Sequence, residues 1–339
     1  MENSLKNMRN NYEAEPNYAV CTDASINIQG ISKRFGNVQA LDNINLIINQ
    51  GTVFALLGPN GSGKTTLVRI LTTLLRPDSG TANIAGYNII HEAKSVRSVI
   101  GLAGQYPAVE EILTGRENLE MIGQLYHLGK EKAKERAIEL LEKFELSDTA
   151  NRKVKTYSGG MRRRLDLAAA LVASPSILFL DEPTTGLDPR SRLGLWDVIV
   201  AQAKDCKTVF LTTQYLEEAD RLANKIAIID KGKILREGTN QELKECCGGD
   251  TLVKVRIADR SEILKASDAL KELGGENLHS YPDIGEITLP AAGGTSLLPE
   301  VVRRLDAENI LITELALKPP TLDDVFLAIT GHSAEETKE

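Results

Sequence analysis

The stretch from Val53 to Thr66 constrains the fold more than any other. Val53-Phe54-Ala55-Leu56-Leu57 is uniformly apolar and reads as a buried strand. Gly58-Pro59-Asn60-Gly61-Ser62-Gly63-Lys64-Thr65 then fits the phosphate-binding pattern GxxxxGK[ST] at every position, with Thr66 following. Leu67 to Leu75 reads as a helix. Glycines let the backbone curl without Cβ clashes, so several N–H groups converge on one concavity. The helix adds its free N–H groups and the positive end of its dipole. Lys64 supplies a mobile cation for β- and γ-phosphates, and the Thr65 hydroxyl a ligand for Mg²⁺. A full match in the order strand, loop, helix argues against a plain Gly-rich turn before a core helix.

The rest of the chain is long enough, at 339 residues, for two or three domains. A net charge of −7 argues against a general nucleic-acid binder, which carries a basic surface. No apolar run approaches bilayer length. Residues 1–24 are polar and mixed in charge, and read as a disordered leader rather than a signal peptide. Cys21, Cys206, Cys246 and Cys247 lack disulfide or zinc spacing and read as reduced thiols of a cytoplasmic protein.

Ile26 to Phe35 reads as a short strand and loop, and Leu41 to Ile48 as a half-buried strand. Phe35 suits either core packing or stacking on an adenine ring. Thr81 to Ile84 and Val99 to Ala103 are further strands, the second running on to Gln105. Thr114 and Glu117 form a capping-box pair at the start of a helix with Leu119, Ile122 and Leu125 on one face. Lys130 to Phe144 is a second helix, with Ile138, Leu141 and Phe144 on one side. Ser158-Gly159-Gly160 opens an alanine-rich helix, as a plain N-cap or as a second anion site. Arg162, Arg163 and Arg164 read as its solvated face.

Ser176 to Leu180 is a buried strand ending in Asp181 and Glu182. Carboxylates at a strand end beside a phosphate loop suit Mg²⁺ binding and water activation. Asp181 would hold Mg²⁺ through its water shell, and Glu182 would orient or deprotonate the attacking water. A core strand, Lys207 to Thr212, leads to Gln214, and Lys225 to Arg236 is a hairpin turning at Asp230-Lys231-Gly232. After a composition shift at Glu245 to Asp250, the order β-α-β-β-α-β-α resembles the split βαβ, ferredoxin-like arrangement. Its last helix carries Leu322, Val325, Phe326 and Ile329 as an apolar stripe, with Asp323 and Asp324 off it. That stripe either closes the small domain's own core or packs elsewhere.

In this fixed order, the phosphate loop, Gln105, Ser158-Gly159-Gly160, Asp181-Glu182 and Gly186-Leu187-Asp188 resemble the ATP-binding-cassette ATPases over about Ser25 to Leu243. Thr212 to Asp220 and Leu322 to Leu327, with Thr330-Gly331-His332, are more closely similar to the ATP-binding subunit of daunorubicin-resistance-type drug exporters. The resemblance implies an α/β P-loop NTPase fold of the ABC type over residues 25–244. Its helical subdomain at about 105–173 would dock onto membrane helices. A C-terminal accessory domain at 250–332 and a tail at 333–339 complete the chain. Phe35 would stack on adenine, and Gln105 would contact Mg²⁺ and the nucleophilic water. Ser158, Gly159 and Gly160 would bind the γ-phosphate of ATP held by a second copy, and Asp188 would couple the two sites. ATP and Mg²⁺ are the implied cofactors. A homodimer driving a separate transmembrane permease, on the cytoplasmic face of the membrane, is the implied assembly, with no nucleic acid. A soluble cassette ATPase acting on nucleic acid or the ribosome is the alternative.

Three positions depart from the superfamily pattern. Tyr157 and Met161 replace the usual Leu and Gln of the signature, and Gln214 stands where most members have a switch histidine. His91, His127, His279 and His332 all lie too far off to substitute. A glutamine donates a hydrogen bond to a phosphate but takes no proton near neutral pH. The drug-exporter subgroup shares the glutamine, which implies a functional residue.

Overall fold

A computed structural model describes residues 24–105, 108–204, 207–245, 251–275, 278–291 and 294–330. The leader up to Asp23, all four cysteines, the junction after Glu245 and the tail fall outside the described residues. The chain gathers into two compact units. One takes the described residues of Met1–Ile31, Asn45–Phe54 and Val68–Leu211, the other those of Ser32–Ile44, Ala55–Leu67 and Thr212–Glu339.

The first strands are β1 (Ala24–Phe35), β2 (Val38–Asn49) and β3 (Val53–Leu57), followed by α1 (Lys64–Leu71). β1 runs through the segment expected to be half loop, because Gly36 at φ +55° turns it directly into β2. Along β2, Leu41, Ile44, Leu46 and Ile48 are buried, as the alternation predicts. Next come β4 (Ser79–Ile84), β5 (Tyr87–Asn88), α2 (Ala93–Val99) and β6 (Ile100–Ala103). The sequence reading has no counterpart for α2, a seven-residue helix burying only Val96.

α3 (Gly115–Leu125) starts at the expected capping box: Glu117 N–H donates to Thr114 Oγ1 and Thr114 N–H to Glu117 Oε2. Its buried face differs from the expected one. Leu119 is buried with Gly115, Asn118 and Gly123, while Leu125 is 71% exposed. In α4 (Lys130–Lys143), Ala133, Ala137, Leu140 and Leu141 are buried and Ile138 is exposed. Small residues let the two helices approach: a Cβ on Gly123 would lie 2.8 Å from that of Ala133.

α5 (Gly159–Ala170), β7 (Ile177–Asp181), α6 (Pro189–Lys204) and β8 (Thr208–Thr213) follow, then α7 (Leu216–Leu222), β9 (Lys225–Asp230), β10 (Lys233–Gly238) and α8 (Asn240–Glu245). β9 and β10 are antiparallel, and Lys231 and Gly232 both take positive φ in the two-residue turn between them. One four-stranded sheet has the order β2-β1-β4-β5, and a six-stranded sheet has the order β10-β9-β3-β8-β7-β6. β3, β7 and β8 are buried at every residue, with Phe210 between Phe54 and Phe179 at centroid distances of 5.5 and 5.4 Å.

The last segment holds β11 (Leu252–Ile257), α9 (Ile263–Gly274), β12 (His279–Tyr281), β13 (Glu286–Pro290), α10 (Leu297–Ala307), β14 (Ile312–Lys318) and α11 (Leu322–Thr330). Its sheet has the order β12-β13-β11-β14, antiparallel throughout. Val253, Val255, Ile287 and Leu289 meet Ala266, Leu270, Val301 and Leu305 in one core. The α11 stripe is not in it. Leu322, Val325 and Phe326 are buried, but α11 packs against α7 and α8. Asp324 is buried as well, 2% exposed. It accepts from Lys254 Nζ at 2.6 Å and from Thr321 Oγ1 at 2.7 Å. Among the described residues, no helix is long and apolar enough to cross a membrane.

Candidate ATP site

The phosphate loop is held by its neighbours before any ligand is considered. Gly58 N–H donates to Thr213 O at 3.2 Å, and Gly232 N–H to Ser62 O at 3.0 Å. A Cβ on Gly58 would lie 2.2 Å from Ile229 O, so only glycine lets the loop leave β3 here. Gly63 at φ +109° faces Ala40 O in the same way, at 2.5 Å. Lys64 is 4% exposed, and its ammonium curls back to the Gly58 and Pro59 carbonyls at 2.7 and 2.9 Å. Ser62 is buried with its hydroxyl unpartnered. A buried orphan hydroxyl costs about 1–3 kcal/mol unless something satisfies it. A buried orphan hydroxyl beside the Lys64 ammonium fits a polyphosphate. Asn60 and Gly61 are exposed, and Thr65 and Thr66 are half-buried at the start of α1.

Gln214 is half-buried directly after β8, next to the Thr213 carbonyl that holds Gly58. Phe35 ends β1 at 47% exposure, which rules out the core-packing alternative. Lys33 Nζ lies 5.6 Å from its ring centroid, and the ring offers an exposed flat face.

The acid end of β7 is a separate cluster. Asp181 is 3% exposed. Glu182 is half-buried and sits at φ +48°, a left-handed conformation that costs a non-glycine residue about 1 kcal/mol or more. Thr185 Oγ1 donates to Glu182 Oε2 at 3.4 Å. Gln105 is exposed just past β6. In the six-stranded sheet, β3, β8, β7 and β6 are consecutive, and they lead respectively into the phosphate loop, Gln214, Glu182 and Gln105. The Asp181 carboxylate and the Gln105 amide oxygen are hard donors of the kind Mg²⁺ takes, and so, on the other unit, is the Thr65 hydroxyl.

Ser158 is an N-cap: its Oγ accepts from Met161 N at 3.2 Å. Gly159 is exposed, and a Cβ on the buried Gly160 would lie 2.7 Å from Ser191 Oγ. Ser191 donates its hydroxyl to Asp188 Oδ2 at 2.6 Å and its N–H to Oδ1 at 3.0 Å, which holds that carboxyl below the usual aspartate range.

The arginine run needs correction. Arg162 and Arg164 lie outward, paired with Glu111 at 2.8 Å and Glu145 at 3.2 Å. Arg163 is instead buried, 6% exposed, and pairs with buried Asp166 at 3.1 Å. Sequence reasoning missed this pair. Its one signal is an aspartate at i+3 from an arginine, inside a stretch otherwise rich in alanine and leucine.

A family model described as ABC transporter matches residues 41–185. The chain is 47% identical over 314 residues to the daunorubicin resistance ATP-binding protein DrrA2 of Streptomyces coeruleorubidus, covering 93% of this chain and 97% of that one. The chain belongs to the ABC transporter ATP-binding subunits of the daunorubicin-resistance type. The daunorubicin/doxorubicin resistance ATP-binding protein DrrA of Streptomyces peucetius is 44% identical, over 92% of this chain and 94% of that one. Among solved structures, an ATP-binding subunit of an ABC transporter superposes with TM-score 0.60 at 25% identity, over 66% of this chain and 93% of that one. A dimeric ATP-binding cassette in a post-hydrolysis state, bound to ADP and Pi, superposes with TM-score 0.58 at 29% identity, over 63% of this chain and 98% of that one. This ABC subunit is therefore an ATP-binding, ATP-hydrolysing component of a transporter, with the P-loop cassette fold. The nucleic-acid or ribosome alternative finds no support among these relatives.

Proposed function

We propose that this subunit powers efflux of a drug-like or lipophilic compound through a separate permease, as a homodimer on the cytoplasmic face of the membrane. The observation that carries the permease reading is on α3. Met121 and Leu125 are exposed on it, with Ile112 exposed just before it and Tyr126 just after, and a groove of about 470 Å³ is lined by Leu113, Glu117, Glu120, Met121, Gln124 and Leu125. Apolar side chains left in water beside a groove suit a partner segment. The two acids on its rim suit a basic residue on that segment. Likeness to resistance proteins over nearly the whole chain supports the cargo class.

Within the site, Lys64 and the loop N–H groups hold the phosphates, and the adenine stacks on Phe35. Thr65, Gln105 and Asp181 would hold Mg²⁺, which would supply charge neutralisation on the phosphates. Glu182 orients the attacking water and takes its proton, and Gln214 donates to the γ-phosphate. Ser158, Gly159 and Gly160 present the start of α5 to ATP on the second copy, and Asp188 couples the two sites. Residues 25–244 form the cassette. Residues 250–332 form an accessory domain whose strand order and β-α-β-β-α-β succession support a ferredoxin-like assignment.

The test is Glu182→Gln, which keeps the cradle and removes the base. It is expected to bind ATP, lose turnover by about 10²–10⁴-fold and collect as an ATP-bound dimer on size exclusion. Co-purification with a polytopic membrane protein, lost on Leu125→Glu, tests the docking surface. Wild-type turnover in Glu182→Gln removes the base assignment, and unchanged co-purification in Leu125→Glu removes the α3 groove from the permease contact.

A further inference from the structure

The Arg163–Asp166 pair grips the backbone on either side of two site residues. Arg163 Nε donates to Pro183 O at 2.7 Å and Nη2 to Asp181 O at 3.2 Å, so the guanidinium holds the carbonyls immediately before and after Glu182. Nη1 donates to Gly104 O, the carbonyl before Gln105, and to Asp166 Oδ2 at 3.1 Å. Asp166 Oδ1 in turn accepts from Ala108 N at 2.7 Å, beyond Gln105. One ion pair thus brackets Gln105 between Gly104 and Ala108, and Glu182 between Asp181 and Pro183.

The bracket has a reason to exist at Glu182. A non-glycine residue at φ +48° persists only where its surroundings over-determine it. Two carbonyls fixed by one planar, rigid fork do that, and a lysine's single point of donation cannot. Both partners are almost fully buried, at 8% and 1% side-chain exposure. Burying an ion pair seldom stabilises a protein more than apolar residues of the same size. A purely stabilising role is therefore a weak account of a pair whose bonds go to these four backbone groups.

We infer that Arg163 and Asp166 are positioning residues for hydrolysis, fixing the Glu182 carboxylate and the Gln105 segment relative to each other from the helix that follows the signature. The same helix starts at Ser158-Gly159-Gly160, so a displacement of α5 carries both site residues with it. This rests on the assignment of Glu182 as the group that orients the water.

The experiment uses the full chain with Arg163→Lys, which keeps the charge and loses the fork, and with Asp166→Asn as a second variant. In the nucleotide-free protein, hydrogen exchange is expected to quicken at Gly104, Gln105 and Ala108 and at residues 181–185 while β3 and β8 stay protected. Affinity for a fluorescent ATP analogue and the KM for ATP should stay within about twofold, while kcat falls roughly a hundredfold, the cost of a misplacement near 1 Å. In a Glu182→Gln background, Arg163→Lys should change the residual rate by less than about threefold, because the two residues act as a unit. Wild-type kcat in both variants, an equal hundredfold fall in both backgrounds, or loss of nucleotide binding in step with kcat would each overturn the positioning role. Wild-type turnover in Glu182→Gln alone would overturn it together with the base assignment. A full effect of Glu182→Gln beside none from Arg163→Lys would overturn the positioning role alone.

Discussion

Replacing Phe326 by alanine tests how the last helix is used. Phe326 is fully buried, yet it lies outside the core formed by β11–β14, α9 and α10. Its helix packs on α7 and α8, where Leu216, Ala219, Leu222 and Leu243 are buried. Truncating a fully buried phenylalanine costs about 3–5 kcal/mol, part transfer and part cavity. If that cost falls on the contact of α11 with α7 and α8, local opening of α7 becomes easier by about 3–5 kcal/mol. At 1.4 kcal/mol per decade, amides of α7 then exchange roughly a hundredfold to a few thousandfold faster. Hydrogen exchange with mass spectrometry on the full chain reads this by segment. Peptides covering β11, β13 and α9 should keep their protection, because Val253, Val255, Ile287 and Leu270 stay packed. Turnover should fall too, since α7 begins two residues after Gln214. Unchanged protection in α7, or protection lost evenly across β11–β14, would refute the reasoning and return Phe326 to the accessory domain's own core.

Further outcomes follow from the same geometry. Gln214→Ala should cut turnover severely while Gln214→His retains a measurable fraction, read by steady-state hydrolysis; full activity in the alanine variant would show the position to be idle. Burial lifts the Asp166 carboxyl from 3.8 to about 6, against the Ala108 N–H and Arg163, which pull it down. Because the folded value is raised, this group's stabilisation is greatest below pH 3.8 and is lost as pH rises through about 6, a change of about 3 kcal/mol. Asp166→Asn removes that titration, so urea melts should show the variant gaining on wild type between pH 4 and 6 and holding a constant gap above 7. A gap that does not vary with pH would count against it.

The parts of the site that a reader of the sequence could recover are those made within a few residues. The phosphate loop is contiguous, and its chemistry follows from residue types at fixed spacing. The capping box at Thr114 and Glu117 closes over three residues. The turn at Lys231-Gly232 depends only on its own backbone. Helix faces were less legible. The expected stripe on α3 includes Leu125, which the fold leaves in water, while Gly115 and Gly123 make the close contacts, to Tyr157 and Ala133. Periodicity shows that a helix has an apolar side, and the neighbour decides which residues it buries.

The sequence by itself determined the strand–loop–helix that fits the phosphate-binding pattern, the acids at the end of β7, and the glutamine in place of a histidine. Each rests on local backbone geometry or on the chemistry of one side chain. Only the tertiary structure decided that Arg163 turns inward to hold the backbone around Glu182, that Asp324 is buried against Lys254, and that α11 leaves its own domain's core for α7 and α8. An arginine or aspartate on a helix reads as solvated because burying a charge is costly. That cost is met only when partners distant in sequence arrive with matching donors and acceptors, here Gly104, Asp181 and Pro183 for Arg163 and Lys254 for Asp324. No window of local sequence contains them all.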